Sequence, residues 1–425
     1  MQRSRLVAAA LLLVVGFACC TEAKTPIFII PGIGTSNLVG RKTDARFISQ
    51  CPLLSGGSLI PGLPQTPVSV WTPGAMLAAP ACWRYMMQLK FDHASGRFSD
   101  QDGISVTAVT GGTSGMDPIT YPLFTAAGYN SLALHIETSL GYTRGVDLIA
   151  VPYDFRQDLT AMNATGELQR IADVISSGVE KNAGAKAVLI GHSMGGLVAT
   201  ALLSAPEFAE WRSEYIKGFL ALAAPFGGAV PAVSARISGQ LLGMPWLTQQ
   251  LLGLSVDEAV YGSTWGQPSV VMLLPYSSAL PSSMVLVSTP SRSYTVAQLQ
   301  ELLADIGDQA AADMFPQVHS LERLLAAPLA VPTACVYGRR VATPLRWRFS
   351  ENLKPKQRAR PGRREASGMG DGVVNIQSLR LCRNLISGPA SAWVSELADA
   401  SVDHVSVVSG AAGHKAVSEM LAKLL

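Results

Sequence analysis

Ser193 stands between two glycines in "VLIGHSMGGL", Val188 to Leu197, at the end of a short apolar run. A serine hydroxyl attacks an ester carbonyl only when a base takes its proton and a third group orients that base. With 39 glycines in 425 residues, a bare Gly-x-Ser-x-Gly arises roughly 0.3 times by chance, so the surroundings decide. Here "AVLI" reads as a strand entering the serine and "GGLVATALL" as a helix leaving it. That is the context of a nucleophile elbow, which lifts the hydroxyl clear at the carboxyl edge of a sheet. Gly191 and Gly195 let strand and helix approach, and the helix start points free N–H groups at developing negative charge.

In such sites an acid and then a histidine follow the serine along the chain. The histidines after Ser193 are His319, His404 and His414. His319, in the helical stretch "FPQVHSLERLL", reads as a surface or packing histidine. His414 opens the final helix in "AAGHKAV" and is the alternative base. His404, in "ADASVDHVSVV", lies in a loop-like stretch beside the last strand-like run, where the base belongs. For the acid, Asp371 in "GMGDGVVNIQSL" sits in a turn ahead of His404. Asp-Gly is also ordinary turn chemistry, but the position between strand and histidine favours the orienting acid. Asp399 and Asp403 are too near His404 in sequence to serve comfortably. Two backbone donors must hold the oxyanion: Met194, directly after the nucleophile, and Ile33, in the loop "PGIG" after the early strand "PIFII". No phosphate-loop or dinucleotide glycine pattern is present there, and no metal-ligand spacing occurs. The reading requires no cofactor and no metal.

The elements that position these residues are legible as apolar runs bounded by glycine or proline. They are 26–30, 146–151, 187–190, 218–224, 333–338 and 402–408, each continuous enough for a strand covered on both faces. Between the second and third, Leu168, Ile171, Ile175 and Val179 recur at helical spacing. Strand, helix, strand gives a right-handed crossover, so the fold class is α/β, a doubly wound sheet. About 50–120, rich in Pro, Gly and Trp, and about 229–330, mostly helical, read as insertions, because strands resume after each. Residues 346–370 carry Arg346, Arg348, Lys354, Lys356, Arg358, Arg360, Arg363 and Arg364 against Glu351 and Glu365. Against the net charge of +3, this basic stretch leaves the remainder acidic, and it reads as a mobile loop.

Composition bounds the rest. Hydrophobic residues at 48% and charged residues at 15% give a large core, and a net charge of +3 points to no nucleic-acid partner. Residues 1–23 hold two arginines, an apolar run and small residues, and read as a signal peptide, with the domain occupying 24–425. An uncleaved anchor is the alternative, and a lipoprotein site is disfavoured by Gly16 and Phe17 before Cys19. The chain is expected to enter the secretory pathway. Outside that segment Cys51, Cys82, Cys335 and Cys382 allow three pairings, or buried free thiols. Asn163-Ala164-Thr165 is a glycosylation sequon, exposed if it starts the helix above.

With these residues in place, the chain resembles the lecithin:cholesterol acyltransferase family, which includes lysosomal phospholipase A2 and phospholipid:diacylglycerol acyltransferases. "IIPGIGTSNL", "VPYDFR", "IGHSMGGL", "LAAPFGGA", "VSTPSRSYT" and "GDGVVNIQSL" are similar to that family's motifs in the same order. The resemblance implies an α/β-hydrolase fold with a membrane-binding loop and a helical cap or lid. It implies Ser193, Asp371 and His404 as triad, Ile33 and Met194 as oxyanion donors, and disulfides Cys51–Cys82 and Cys335–Cys382. "VSVWTPGAMLAAPACW" stands at the membrane-binding loop and 237–253 at the lid, so Trp71, Leu77, Trp83 and Trp246 are the expected lipid contacts. Phe155 and Phe226 replace tryptophans, 84–120 matches poorly, and the basic stretch is unusual. The implied chemistry moves an acyl group from a phospholipid to a lipid alcohol, sterol-like in kind, or to water. The partners are a phospholipid membrane or lipoprotein-like surface, and the location is secreted or lysosomal/vacuolar. A hydrolase-only enzyme and a catalytically silent lipid-binding protein are the alternatives.

Overall fold

The computed structural model describes residues 24–425 except 52–66, 72–78, 112–113, 117–118, 121–124, 127–128, 240–260 and 361. The expected signal peptide, Leu77 and Trp246 therefore lie outside the described residues.

Ten strands matter to the site. They are β1 (Ile27–Ile30), β2 (Leu148–Ala150), β3 (Ala187–His192), β4 (Ile216–Leu222), β5 (Val285–Ser288), β6 (Ser293–Thr295), β7 (Thr333–Gly338), β8 (Val341–Arg348), β9 (Arg363–Gly370) and β10 (Val394–Leu397). The central sheet has the order β10-β7-β4-β3-β1-β2, and every neighbouring pair is parallel. β1, β3 and β7 are buried along their whole length, which is why they read as continuous apolar runs rather than alternations. The helices used below are α1 (Pro80–Met87), α2 (Asn130–Leu140), α3 (Glu167–Lys181), α4 (Met194–Ser204), α5 (Pro231–Ser238), α6 (Leu299–Asp305), α7 (Gln309–Val318) and α8 (Ala411–Leu424). In α3, Leu168, Ile171, Ile175 and Val179 are buried, the apolar stripe that the spacing predicts, and β2–α3–β3 forms the crossover.

Two expectations are corrected. The run 402–408 is not a strand: Asp403 accepts the Val405 and Ser406 N–H groups at 3.0 and 2.7 Å, turning the chain into a short helix at Ser406–Ser409. The outermost strand is β10 instead. The basic stretch is not simply a mobile loop, since β8 and β9 pair antiparallel through it and β8 also pairs with β5. Buried Trp347 and Phe349 anchor it, an apolar signal swamped by the surrounding charge. Together β6-β5-β8-β9 make a second sheet.

A disulfide closes the first insertion on itself, and a buried ion pair holds it to the body. Cys51 is bonded to Cys82 at the start of α1, and Cys335 on β7 to Cys382. Buried Arg156 donates to Asp154, to Asp100 at 2.7 Å and to the Met86 carbonyl at 2.8 Å. Those bonds lock the "VPYDFR" block onto α1, with the cation matched by carboxylates as burial demands. Asn163 is exposed, but within a separate short helix, Leu159–Thr165, ahead of α3.

Candidate active site

Ser193 joins β3 to α4 with φ 53° and ψ −129°, a conformation costly for a side chain with Cβ and held only because its surroundings impose it. The Ser193 N–H bonds the Leu222 carbonyl at 2.8 Å. A Cβ on Gly191 would lie 2.7 Å from the Gly196 Cα, and one on Gly195 would overlap the Ile30 and Pro31 carbonyl oxygens. Both glycines are thus demanded by the approach of helix to strand.

His404 arrives from the far end of the chain, its Nε2 2.9 Å from Ser193 Oγ and its Nδ1 2.8 Å from Asp371 Oδ2. Asp371 follows β9 directly, is fully buried, and its Oδ1 accepts the Val373 and Val374 N–H groups at 3.0 and 2.6 Å. Its carbonyl also accepts the His404 N–H at 2.8 Å. With the carboxylate facing Nδ1, that nitrogen carries the proton and Nε2 is free to accept from the serine hydroxyl. Ser193 and His404 are only 8% and 9% exposed, so the pair sits in a medium of low dielectric.

The other histidines lie elsewhere. His319 stacks on Tyr276 and Phe315 with centroids at 3.6 and 4.4 Å, and burial lowers its pKa to about 4. His414 stacks on His135 at 4.6 Å and bonds the Val408 carbonyl.

Met194 is the first residue of α4, so its N–H has no carbonyl one turn back to bind. The loop after β1 lies against the nucleophile: a Cβ on Gly32 would stand 3.0 Å from Ser193 Cβ. Ile33 follows Gly32 in this loop and is half-buried. Trp71 donates its indole N–H to the Gly34 carbonyl at 2.6 Å, and packs edge-on to Phe155 with centroids 5.1 Å apart.

That corrects one expectation. Trp83 is 1% exposed and stacks on Trp71 at 5.8 Å, drawn into the core by α1 and the adjoining disulfide. It cannot touch lipid in this conformation, and half-buried Trp71 braces the loop after β1.

Two residues passed over by the motif reading complete the site. His192 Nε2 lies 2.9 Å from the His404 carbonyl, which can only accept, so Nε2 carries the proton. Nδ1 then accepts the Tyr129 hydroxyl at 2.6 Å, and the Tyr129 oxygen accepts the Gly32 N–H at 2.7 Å. Burial pushes the His192 pKa down to about 3 and that of Tyr129 up to about 12. Both are neutral, and each bond in the chain has one direction. His192 was visible beside Ser193; nothing near Tyr129 in the sequence marks it.

A parallel doubly wound sheet, a strained serine elbow after its central strand and the order Ser, Asp, His define an α/β-hydrolase-fold enzyme. A sequence model of the lecithin:cholesterol acyltransferase family matches residues 69–324, and the chain belongs to that family. It is 30% identical over 320 residues to lecithin-cholesterol acyltransferase-like 1 of Arabidopsis thaliana, covering 73% of this chain and 71% of that one. It is 28% identical to the phosphatidylcholine-sterol acyltransferase of Mus musculus, covering 77% and 70%. With the lysosomal phospholipase A and acyltransferase of Homo sapiens it shares 27% identity, over 71% and 69%. The crystal structure of a Tle4–Tli4 complex superposes with a TM-score of 0.52 at 14% identity, over 94% of this chain and 98% of that one, a likeness of fold. The matched family span includes Ser193 and ends before Asp371 and His404, which the fold brings to it.

Proposed function

We propose that this enzyme moves a fatty acyl group from a phospholipid, through an acyl-enzyme on Ser193, to a lipid alcohol, and hydrolyses the ester when water accepts. The observation that carries this is the Ser193–His404–Asp371 chain, at 2.9 and 2.8 Å, in a member of an acyltransferase family. His404 Nε2 takes the Ser193 proton as Oγ attacks the acyl carbonyl, and the tetrahedral oxyanion binds the Met194 and Ile33 N–H groups. The imidazolium, held by Asp371, returns the proton to the departing lysophospholipid oxygen. The second alcohol then attacks the acyl-enzyme with His404 again as base. Relatives named as sterol acyltransferase and as lysosomal phospholipase A support both acceptors. The two disulfides support an oxidising compartment, secreted or lysosomal.

Water is about 55 M, so transfer wins only where an alcohol is oriented beside the acyl-enzyme with a far higher effective molarity. Labelled phosphatidylcholine in vesicles holding sterol, diacylglycerol or short ceramide tests this. A labelled sterol ester, triacylglycerol or acylceramide identifies the acceptor, whereas free fatty acid with every acceptor leaves a phospholipase and ends the transferase reading.

A further inference from the structure

We infer that the β8–β9 hairpin is a cationic docking surface that holds the active-site edge of the enzyme against an anionic phospholipid membrane. This rests on the phospholipid reading above and deepens it, and it concerns a part of the chain outside the matched family span.

Both ends of the hairpin are rooted where the chemistry occurs. β8 begins just past the carboxyl end of β7, and β9 runs straight into Asp371. Its connecting segment, 349–360, docks on α5 through Ala359 N–H to the Ile237 carbonyl at 3.1 Å. It docks on the α6–α7 corner through Lys356 N–H to the Ile306 carbonyl at 2.7 Å. The segment is therefore seated on the body rather than trailing from it, and β8 departs from the carboxyl-terminal edge of the central sheet, the edge that carries Ser193.

The charge is concentrated and poorly neutralised. Lys354, Lys356, Arg360, Arg363 and Arg364 are exposed, and none forms an ion pair with a described residue; Glu365 is taken by Arg348, with Arg346 4.0 Å away. Glu351 accepts the backbone N–H of Arg360. Arg348 stands directly across the ladder from Arg363, a like-charge pairing that works against the sheet. Cations on an edge strand discourage unwanted strand pairing, which accounts for Arg363 and Arg364. It does not account for Lys354, Lys356 and Arg360, which lie in the connection and guard no edge. An outside anion supplies what the fold does not, and a membrane surface presents many at once.

The remainder of the chain, net acidic once this stretch is set aside, faces the opposite preference, so the charge asymmetry also orients the molecule. Each cation near an anionic bilayer contributes about fivefold in affinity, the equivalent of about 1 kcal/mol.

The test compares the parent with Lys354→Gln/Lys356→Asn/Arg360→Gln, three exposed sites; asparagine suits the left-handed backbone at Lys356, φ 57°. Binding is read by co-sedimentation with diether phosphatidylcholine vesicles, with or without diether phosphatidylglycerol, lipids that no esterase cleaves. The parent should bind the anionic vesicles at least about tenfold more tightly, less so as salt rises. The variant should lose about a hundredfold on anionic vesicles, three cations at about fivefold each, while a soluble fatty ester is turned over as before. Equal binding of both proteins to anionic vesicles, or no preference by the parent, overturns the inference; so does binding confined to heparin, which would make the partner a soluble polyanion. Because diether lipids report docking without turnover, this result stands or falls apart from the acyl-transfer assay.

Discussion

Tyr129→Phe removes one oxygen and should damage the enzyme far beyond its size. In the folded protein that hydroxyl accepts the Gly32 N–H at 2.7 Å and donates to His192 Nδ1 at 2.6 Å. Phenylalanine fills the same space but leaves a buried donor and a buried acceptor without partners. Each unsatisfied group costs about 1–3 kcal/mol, so the fold should lose about 2–6 kcal/mol, toward the lower end if water enters. Catalysis should suffer separately, because Gly32 precedes Ile33 in the loop beside Ser193. Outright loss of an oxyanion donor costs about a hundred- to a thousandfold in kcat; a loosened loop should cost about ten- to a hundredfold, with KM nearly unchanged. Urea unfolding reads the first effect, and kcat and KM on a soluble fatty ester read the second. A loss below about 1 kcal/mol together with an unaltered kcat would show that the hydroxyl joins nothing of consequence, and refute the reasoning.

Ser193→Ala should remove ester turnover by about a millionfold while preserving the unfolding midpoint, and activity within about tenfold of the parent would sink the nucleophile assignment. Asp371→Asn should cost about ten-thousandfold in kcat by mis-setting the His404 tautomer, checked by fluorophosphonate labelling rates. Cys335→Ser should destabilise by about 4 kcal/mol, from the closure entropy of a loop of 47 residues; a midpoint unmoved in urea would contradict that. Burial holds His192 and His319 down to about 3 and about 4, so the unfolded chain binds their protons first and stability, full above about pH 6.5, drains away below it. By about pH 5 the two should together cost roughly 4 kcal/mol, and a urea midpoint equal at about pH 7.5 and 5 would exclude this.

Much of the site was legible because its chemistry demands residue types in a fixed local context. The serine elbow needs glycines on both sides and a strand and helix around it, and all of that is contiguous in 187–204. The sheet was legible for a related reason: strands buried on both faces must be apolar throughout, so β1, β3, β4 and β7 announce themselves. The same logic failed at 402–408, where "VDHVSVV" has the composition of a strand but Asp403 folds back on the N–H groups after it. One short polar side chain outweighed four valines, because its bonds to the following N–H groups offer the backbone an alternative to a strand ladder. Trp83 misled differently. An aromatic beside a cysteine fits a lipid-facing loop or a core anchor equally well, and only the packing of α1, which buries Trp83 against Trp71, decides between them.

What stayed hidden was the connection between the two halves of the catalytic apparatus. The proposed base is fixed by its side chain to Asp371 but also through its own carbonyl to His192, and the loop proposed to hold the oxyanion is fixed through the N–H of Gly32. Backbone atoms are the same at every position, so a sequence cannot mark those that carry such bonds. Only Tyr129 and His192 have side chains in the chain of bonds, and they lie 63 residues apart. The arrangement has a consequence for how the site keeps its register. His192 ends β3 and Ser193 follows it directly, so a displacement of the strand end carries the proposed nucleophile and the anchor of its base together. The oxyanion loop, tied through Tyr129 to that anchor, follows. In the proposed mechanism nucleophile, base and oxyanion donors are thus referenced to one strand inside the sheet, while the hairpin that leads into Asp371 carries the cations to which we assign membrane docking.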